Sequence, residues 1–409
     1  MNGVAEAPLS ETSLDKENEG MVSKDEKRNC GFEDTHNKNR RIKMTNRCAL
    51  WTAAIACLML LAPAGQAEVW DDIGGGNLWS DPANWAPAIP TPSTDAFVND
   101  TQGSVDGQAV IGSGTNALAD VATIGNGSGG IGRVSVEGSM TVNLLKAGEI
   151  GGRGFVNFQP GSSLVTLNND LRLGGQQANT YGFVHFEGPG TTATIAGSII
   201  AGNQNAGDLV IEGSTVNAGS GLTVGNASTG TLELMELGGT AGILEIGRRV
   251  RLGDGAGASG TITQGPNTIF RATSTDDVFR IGEAGAGVWN MNGGLLEIAR
   301  VAGMELAAFG GGSSGTFNMS DGTVRVSNIT AGGTANFNFG GGEIFLNGDR
   351  TGFAAATSFF NVTGNAADYT EAYNSGMDQT RLFYIPEPGA LGVLCLGGAM
   401  MMSRRKNRR

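Results

Sequence analysis

The sequence predicts an all-β chain folded as a parallel β-helix, or β-solenoid, and three observations point to this fold. Glycine accounts for 68 of the 409 residues, well above its ordinary share of roughly 7%, and interior glycine disfavours helices. Hydrophobic residues still make up 40% of the chain, which is unlike a disordered protein. Finally, an apolar residue followed by glycine recurs along the chain, which is typical of stacked structural repeats.

The repeats occupy residues 121–349 and measure 22–29 residues each. Most units also contain a glycine with apolar residues two and four positions later, such as Gly182, Val184 and Phe186. A third short apolar strand follows. Three strands of period two, joined by tight turns, suit one rung of a solenoid, and we expect about nine rungs. The dipeptides that mark the rungs are Ile124-Gly125, Ile150-Gly151, Leu173-Gly174, Ala201-Gly202, Val224-Gly225, Leu252-Gly253, Ile281-Gly282, Phe309-Gly310 and Ala331-Gly332.

The segments on either side of the repeats differ from them in composition. Residues 68–120 contain Trp70, Trp79 and Trp85, three of the five tryptophans. We interpret this segment as a cap over the open end of the first rung, with a carbohydrate-stacking platform as the alternative. Residues 350–381 lose the glycine pattern and are interpreted as a C-terminal cap and linker. The competing fold for the repeats is a β-sandwich.

Charge and cysteine content exclude several classes of function for the body. Residues 68–381 carry 13 Lys/Arg against 29 Asp/Glu, a net charge of −16. Such an acidic body repels nucleic-acid phosphate, so we expect no nucleic-acid partner. The four cysteines are Cys30, Cys48, Cys57 and Cys395. Residues 68–385 therefore hold no thiol for a disulfide or a thiolate metal site.

A targeting signal is predicted near the start of the chain. Residues 44–67 contain a basic segment, an apolar run of signal-peptide length and small residues at Gly65 and Ala67. We interpret them as a secretory signal helix recognised by the Sec export machinery and cleaved after Ala67. Residues 1–43 are polar and without period, so we expect them to be disordered or to precede a true start at Met44.

A second signal is predicted in residues 382–409. Pro386, Glu387 and Pro388 precede a short apolar run over residues 390–402, and an arginine-rich cluster ends the chain. These three ordered features resemble the PEP-CTERM sorting signal of Gram-negative bacteria. The resemblance implies export, transient anchoring in the inner membrane by a short transmembrane helix, and processing by an exosortase-type transpeptidase. The Trp-rich opening of the body is also similar to that of secreted autotransporter-type and PEP-CTERM repeat proteins.

The body offers few candidates for catalysis, and we predict no catalytic, cofactor-binding or metal-ligating residue. His185 is its only histidine and is expected on the outer face of a strand, which excludes a histidine triad or a multi-histidine zinc site. Asp276 and Asp277 are adjacent and are interpreted as solvated turn residues. The basic cluster Arg248-Arg249-Val250-Arg251 is expected to pair with acids of neighbouring rungs such as Glu245.

Three functional hypotheses remain. The leading one is a non-enzymatic surface or extracellular-matrix protein, adhesin-like and associated with biofilm. Its link to extracellular polysaccharide follows from the family resemblance alone. The second is a carbohydrate-active β-helix enzyme, either a lyase or a glycosidase, which is an analogy from fold. The third is a lectin-like module that binds glycans through Trp70, Trp79 and Trp85.

Overall fold

In a computed structural model, the chain forms a parallel β-solenoid of about 11 turns with almost no helix. The structure describes residues 67–70, 77–99, 108–127, 129–363 and 369–384. All of them lie in one compact unit, Ala64–Arg409. The predicted fold class of the body is therefore confirmed. The predicted signal helix and transmembrane helix lie outside the described residues, apart from Ala67 at the end of the signal segment.

The described residues form thirty-one strands, a 3-10 helix at Pro82–Asn84 and a single-turn helix, α1, at Phe353–Ala356. The first fifteen strands are β1 (Ala67–Trp70), β2 (Trp85–Ala86), β3 (Asp95–Val98), β4 (Gln108–Ile111), β5 (Asn116–Asn126), β6 (Ile131–Val136), β7 (Ser139–Glu149), β8 (Arg153–Phe158), β9 (Ser163–Thr166), β10 (Leu171–Leu173), β11 (Tyr181–Glu187), β12 (Thr192–Ile195), β13 (Ser198–Ala201), β14 (Gly207–Glu212) and β15 (Thr215–Ala218). The remaining strands are β16 (Gly221–Val224), β17 (Thr229–Met235), β18 (Ile243–Ile246), β19 (Arg249–Leu252), β20 (Ser259–Gln264), β21 (Ile269–Ala272), β22 (Phe279–Ile281), β23 (Ala286–Ile298), β24 (Met304–Leu306), β25 (Ser314–Val326), β26 (Ile329–Ala331), β27 (Thr334–Phe339), β28 (Glu343–Asn347), β29 (Phe360–Val362), β30 (Tyr369–Asn374) and β31 (Gln379–Tyr384).

The strands stack into three parallel ladders, one for each side of a turn. Ladder 1 runs β4–β6–β8–β11–β14–β17–β20–β23–β25–β27–β29. Ladder 2 runs β5–β7–β9–β12–β15–β18–β21–β23–β25–β28. Ladder 3 runs β1–β3–β5–β7–β10–β13–β16–β19–β22–β24–β26. The long strands β5, β7, β23 and β25 continue around a corner and so belong to two ladders.

Alternate side chains of each strand fill the interior, as the period of two predicts. In β11, Val184 and Phe186 are completely buried, whereas His185 between them faces outward, with 19% of its side chain exposed. The Phe186 ring stacks on Phe158 of the previous turn with centroids 4.8 Å apart. Each turn thus buries its inner face against its neighbours, and the stack forms one continuous core.

A column of glycines lines the corner between ladders 3 and 1. Gly225 at this corner has φ +73°, and a Cβ there would collide with the Ser259 carbonyl of the next turn. Gly230, the second residue of the following strand β17, faces the Ala201 carbonyl of the preceding turn just as closely. Side chains are therefore excluded here because backbone packs directly on backbone. This contact explains the glycine followed by alternating apolar residues in the repeats.

Two of the predicted corner dipeptides are wrong. The strand register places Ala147-Gly148 and Leu306-Ala307 at these corners instead of the dipeptides that begin at Ile150 and Phe309. Ile150 is 43% exposed and Phe309 is 63% exposed, so neither belongs to the core. At one corner an alanine, Ala307, adopts the left-handed conformation with φ +51°, and a search for glycine therefore misses it.

The predicted count of about nine rungs is also too low, since the solenoid has about 11 turns. The additional turns come partly from the segment interpreted as an N-terminal cap, where β3, β4 and β5 already lie in the ladders. Their inward residues include Ala96, Ala109 and Ala122, all completely buried. The turn before the first counted dipeptide has Val98 in register with Ile124, but Asn99 follows it instead of the glycine on which the count depended.

Different structures lie at the two ends of the ladders. At the N-terminal end, the short strand β2 pairs antiparallel with β1. At the C-terminal end, β30 and β31 form an antiparallel hairpin, and β31 pairs antiparallel with β28. Residues 374–379 form the turn of this hairpin. Within the residues that the structure describes, no helix is long and apolar enough to cross a membrane.

Candidate functional site

The three tryptophans of the N-terminal segment form one buried cluster. Trp70, Trp79 and Trp85 are only 3%, 2% and 4% exposed. The Trp85 ring meets the other two edge-on, with centroid distances of 5.2 Å to Trp70 and 4.6 Å to Trp79. Its indole N–H donates to the Trp79 carbonyl over 2.7 Å. Carbohydrate stacking needs an exposed ring face, and none of these rings offers one.

The predicted processing residues fall mostly outside the part of the chain that the structure describes. Gly65 precedes it, and Pro386, Glu387 and Pro388 follow it. Ala67 is the first residue of β1 and pairs with Asp95 of β3. The cleavage and sorting signals remain predictions from the sequence.

The basic cluster around Arg249 is paired with acids, although with different acids from the one predicted. Arg248 Nε lies 2.9 Å from Asp277 Oδ2, and this hydrogen bond holds the pKa of the Asp277 carboxyl below its ordinary value. Arg251 lies beside Asp254, at 3.3 Å, and Glu283, at 3.0 Å. The cluster therefore neutralises acids of its own and neighbouring turns.

Glu245, the predicted partner, instead begins an outward charge ladder on ladder 2. Glu245, Arg271, Glu297 and Arg325 occupy equivalent positions in successive turns. Arg271 Nη1 lies 2.7 Å from Glu245 Oε1, and Arg271 Nε lies 3.2 Å from Glu297 Oε2. Arg325 Nη1 is farther from Glu297 Oε1, at 4.0 Å. Both neighbouring carboxylates help to raise the pKa of Arg271.

A second charged cluster lies on ladder 3, centred on Glu283. The Glu283 side chain is only 3% exposed and lies 2.7 Å from Arg280 Nη1 and 3.0 Å from Arg251 Nε. Arg280 Nε also lies 3.0 Å from Glu305 Oε2. Burial raises the pKa of Glu283, and the two arginines oppose this shift. The cluster holds three successive turns together through a largely buried carboxylate.

A groove of about 580 Å³ lies along the end of ladder 2 and is the candidate functional site. Its floor follows the outward charge ladder from Arg271 through Glu297 and Arg325 to Phe345, and Met377 of the β30–β31 turn lies at its C-terminal end. Its volume is within the range of ligand-binding clefts, roughly 300–1,000 Å³. Polar side chains also line it, namely Thr273, Ser327, Asn347 and Gln379.

The groove brings three charged side chains from adjacent turns together, which sequence reasoning missed. Four apolar–charged–apolar triplets of alternating sign encode the outward charge ladder, of which the last three line the groove: Leu244-Glu245-Ile246, Phe270-Arg271-Ala272, Leu296-Glu297-Ile298 and Val324-Arg325-Val326. This alternation is the signal that would have identified the ladder. The triplets lie 26, 26 and 28 residues apart along the chain, and the strand register places them side by side.

A second outward feature, on ladder 1, is aromatic. Phe155 and Phe183 occupy equivalent positions in β8 and β11, with ring centroids 6.2 Å apart. The Arg133 guanidinium lies 5.6 Å from the Phe155 centroid. Tyr181 donates a hydrogen bond to Asp208 over 2.5 Å, and desolvation together with this bond raises the pKa of the phenol. These contacts join successive turns on the outer surface.

Within the described residues, no group of three or more His, Cys, Asp and Glu side chains is arranged to hold a metal ion. No protein-family model matches the chain, and no curated protein or solved structure matches it either. The candidate site therefore has to be interpreted from its own geometry.

Proposed function

We propose that the chain is an exported, non-enzymatic structural protein of the cell surface or extracellular matrix. The observation that carries this proposal is the continuous, in-register core that joins about 11 turns into one stack. Such a stack is stabilised by interactions between neighbouring turns and needs no disulfide. The lack of cysteine in residues 68–385 suits this mode of stabilisation.

The proposed delivery route rests on the sequence signals at the two ends. The Sec machinery would export the chain, the C-terminal run would anchor it transiently in the inner membrane, and an exosortase-type transpeptidase would act near Pro386, Glu387 and Pro388. The protein would then reach the cell surface or the extracellular space and associate with polysaccharide in an adhesin-like role. This association is supported by the family resemblance of the C-terminal signal.

Mass spectrometry of the protein secreted by a Gram-negative host that carries an exosortase tests this route. We expect an N-terminus at Glu68 and loss of the arginine-rich tail. The variant P386A/P388A should retain the tail, whereas Pro160→Ala, at an exposed proline of the body, should be processed like the wild type. Secreted protein that is intact through Arg409 would contradict the proposal.

A carbohydrate-active enzyme is the second candidate function, because Arg271, Glu297 and Arg325 from adjacent turns meet in one groove. In a lyase or glycosidase, a carboxylate or another base must be available for proton transfer. Glu297 instead lies between two arginines, at 3.2 and 4.0 Å, which favours a structural role. A polysaccharide-degradation screen decides between the two, with Glu297→Gln as the inactive control for any cleavage that is found.

A further inference from the structure

The outward charge ladder ends with a cation that has no following acid. Along the ladder the charges alternate through Glu245, Arg271, Glu297 and Arg325, and each arginine except the last lies between two carboxylates. The next position in register after Arg325 is Phe345. The Arg325 side chain is 56% exposed, and among the residues that the structure describes its one carboxylate within ion-pair distance, Glu297, is 4.0 Å away. A carboxylate supplied by a ligand would continue the alternation at this point.

The surroundings of Arg325 combine an apolar surface with hydroxyl and amide groups. Its guanidinium lies 5.8 Å from the centroid of the Phe345 ring, and the 70% exposed Met377 lies at the end of the groove. The Ser327 hydroxyl donates to the Arg300 carbonyl over 2.6 Å, so its oxygen can still accept a hydrogen bond. The side-chain amides of Asn347 and Gln379 can both donate and accept. A ring that carries hydroxyl groups and one carboxylate matches this combination.

The charge of the whole body limits which acidic ligand can bind. A net charge of −16 over residues 68–381 repels a polymer that is charged at every unit. The attraction at Arg325 is local, because Arg271 is already neutralised by its two acids. The ligand should therefore present an isolated carboxylate among neutral groups.

We propose that the groove binds a uronate residue of a predominantly neutral glycan, with Arg325 pairing with its carboxylate. The hydroxyl and amide groups of Ser327, Asn347 and Gln379 would bind the sugar hydroxyls, and Phe345 and Met377 would contact the apolar faces of the sugars. The proposal names the class of glycan for the proposed matrix function, and in that respect it rests on the proposed function. The binding itself is a property of the purified protein and does not depend on export.

Isothermal titration calorimetry on the purified full-length protein tests the proposal with three matched probes. These are xylotriose carrying one glucuronate, the same compound as its methyl ester, and unsubstituted xylotetraose. We expect the free uronate to bind at least about tenfold more tightly than either neutral probe, because only the carboxylate can pair with Arg325. Equal affinity for all three probes, or no binding of the uronate, would overturn the proposal.

Two variants locate the binding. Arg325→Gln should lose the preference for the uronate, with about a tenfold or greater loss of affinity, while its melting temperature stays close to that of the wild type because the side chain is exposed. Arg153→Gln removes an exposed arginine of β8 on ladder 1 and should bind like the wild type. An equal loss in both variants would indicate non-specific charge attraction and contradict the assignment of the site. If the secretion experiment shows no processing but the purified protein still binds the uronate, the proposed export route is wrong and the groove assignment stands.

Discussion

The interior of the first turns is lined by small side chains, whereas the last turns are filled by stacked aromatic rings. In the first turns, buried alanines come from all three ladders: Ala96, Ala109, Ala117, Ala119, Ala122 and Ala147. In the last turns, Trp289, Phe317, Phe337 and Phe360 form one continuous stack. Its successive centroid distances are 6.1, 4.7 and 5.0 Å. One pattern of strand pairing therefore accommodates two very different core compositions.

The outer surfaces of the two regions differ as well. Residues 245–381 contain both arginine–carboxylate clusters, centred on Arg271 and on Glu283. The earlier turns carry single arginine–carboxylate pairs, such as Arg172 with Asp170 at 2.8 Å, and the aromatic pair Phe155 and Phe183. Since each turn contacts only its neighbours, side-chain solutions can vary locally while the ladders remain in register.

The largest expected effect comes from the aromatic stack. Phe317→Ala should lower the free energy of unfolding by about 3–5 kcal/mol, because it leaves a cavity between two rings. Val134→Ala in the earlier turns removes less volume and should cost about 1.5–2.5 kcal/mol. Urea denaturation of the purified variants measures both. Equal losses would contradict the larger contribution expected from the aromatic stack.

The glycine column should be the next most sensitive feature. Gly230→Ala places a methyl group against the Ala201 carbonyl and the Gly225 amide, and such overpacking costs about 1–3 kcal/mol. Gly311→Ala is the matched control, since no heavy atom lies within 4 Å of a Cβ at this position. Thermal unfolding followed by circular dichroism distinguishes the two. A control as unstable as Gly230→Ala would mean that the corner contact is not the cause.

A smaller effect is expected for the outward charge ladder. Arg271→Gln removes two contacts of a side chain that is 35% exposed, and exposed pairs contribute about 0.2–1 kcal/mol each. The loss of stability should shrink as salt is raised from 0.05 to 1 M, because ions screen the wild-type pairs. Urea unfolding at both salt concentrations tests this. A loss that is independent of salt would point to packing of the side chain instead.

The smallest expected effect is on pH dependence, at Glu283, where burial and two arginines act in opposite directions. Because the folded-state pKa lies above the unfolded one, the folded chain holds more of this proton between the two values. The contribution of Glu283 to stability therefore decreases as pH rises through this window. Unfolding free energies measured between pH 3 and 8 should show this decrease in the wild type and not in Glu283→Gln. Arg251, Arg280 and Asp254, the charged groups that act on Glu283, are the same in both proteins. Identical profiles would contradict the raised pKa.

Much of the fold could be predicted from local pattern. The alternation around His185 assigned Val184 and Phe186 to the core because strand side chains point to opposite sides in turn. The corner at Gly225 was predictable because left-handed backbone favours glycine. The corner at Ala307 was not predictable, since alanine gives no signal of a positive φ. The turn that contains Val98 was missed for a similar reason, because Asn99 follows Val98 where glycine follows the equivalent Ile124.

The sequence by itself determined the class of fold and the inward face of most strands, because both depend on residues two to five positions apart. Only the tertiary structure decided which charges meet. Successive members of the series Glu245, Arg271, Glu297 and Arg325 lie 26, 26 and 28 residues apart along the chain, so the spacing is not constant. Parallel pairing cancels those differences by aligning each strand with its neighbour. The groove and its exposed terminal arginine are therefore properties of the stack, because no single repeat contains more than one of the four charges.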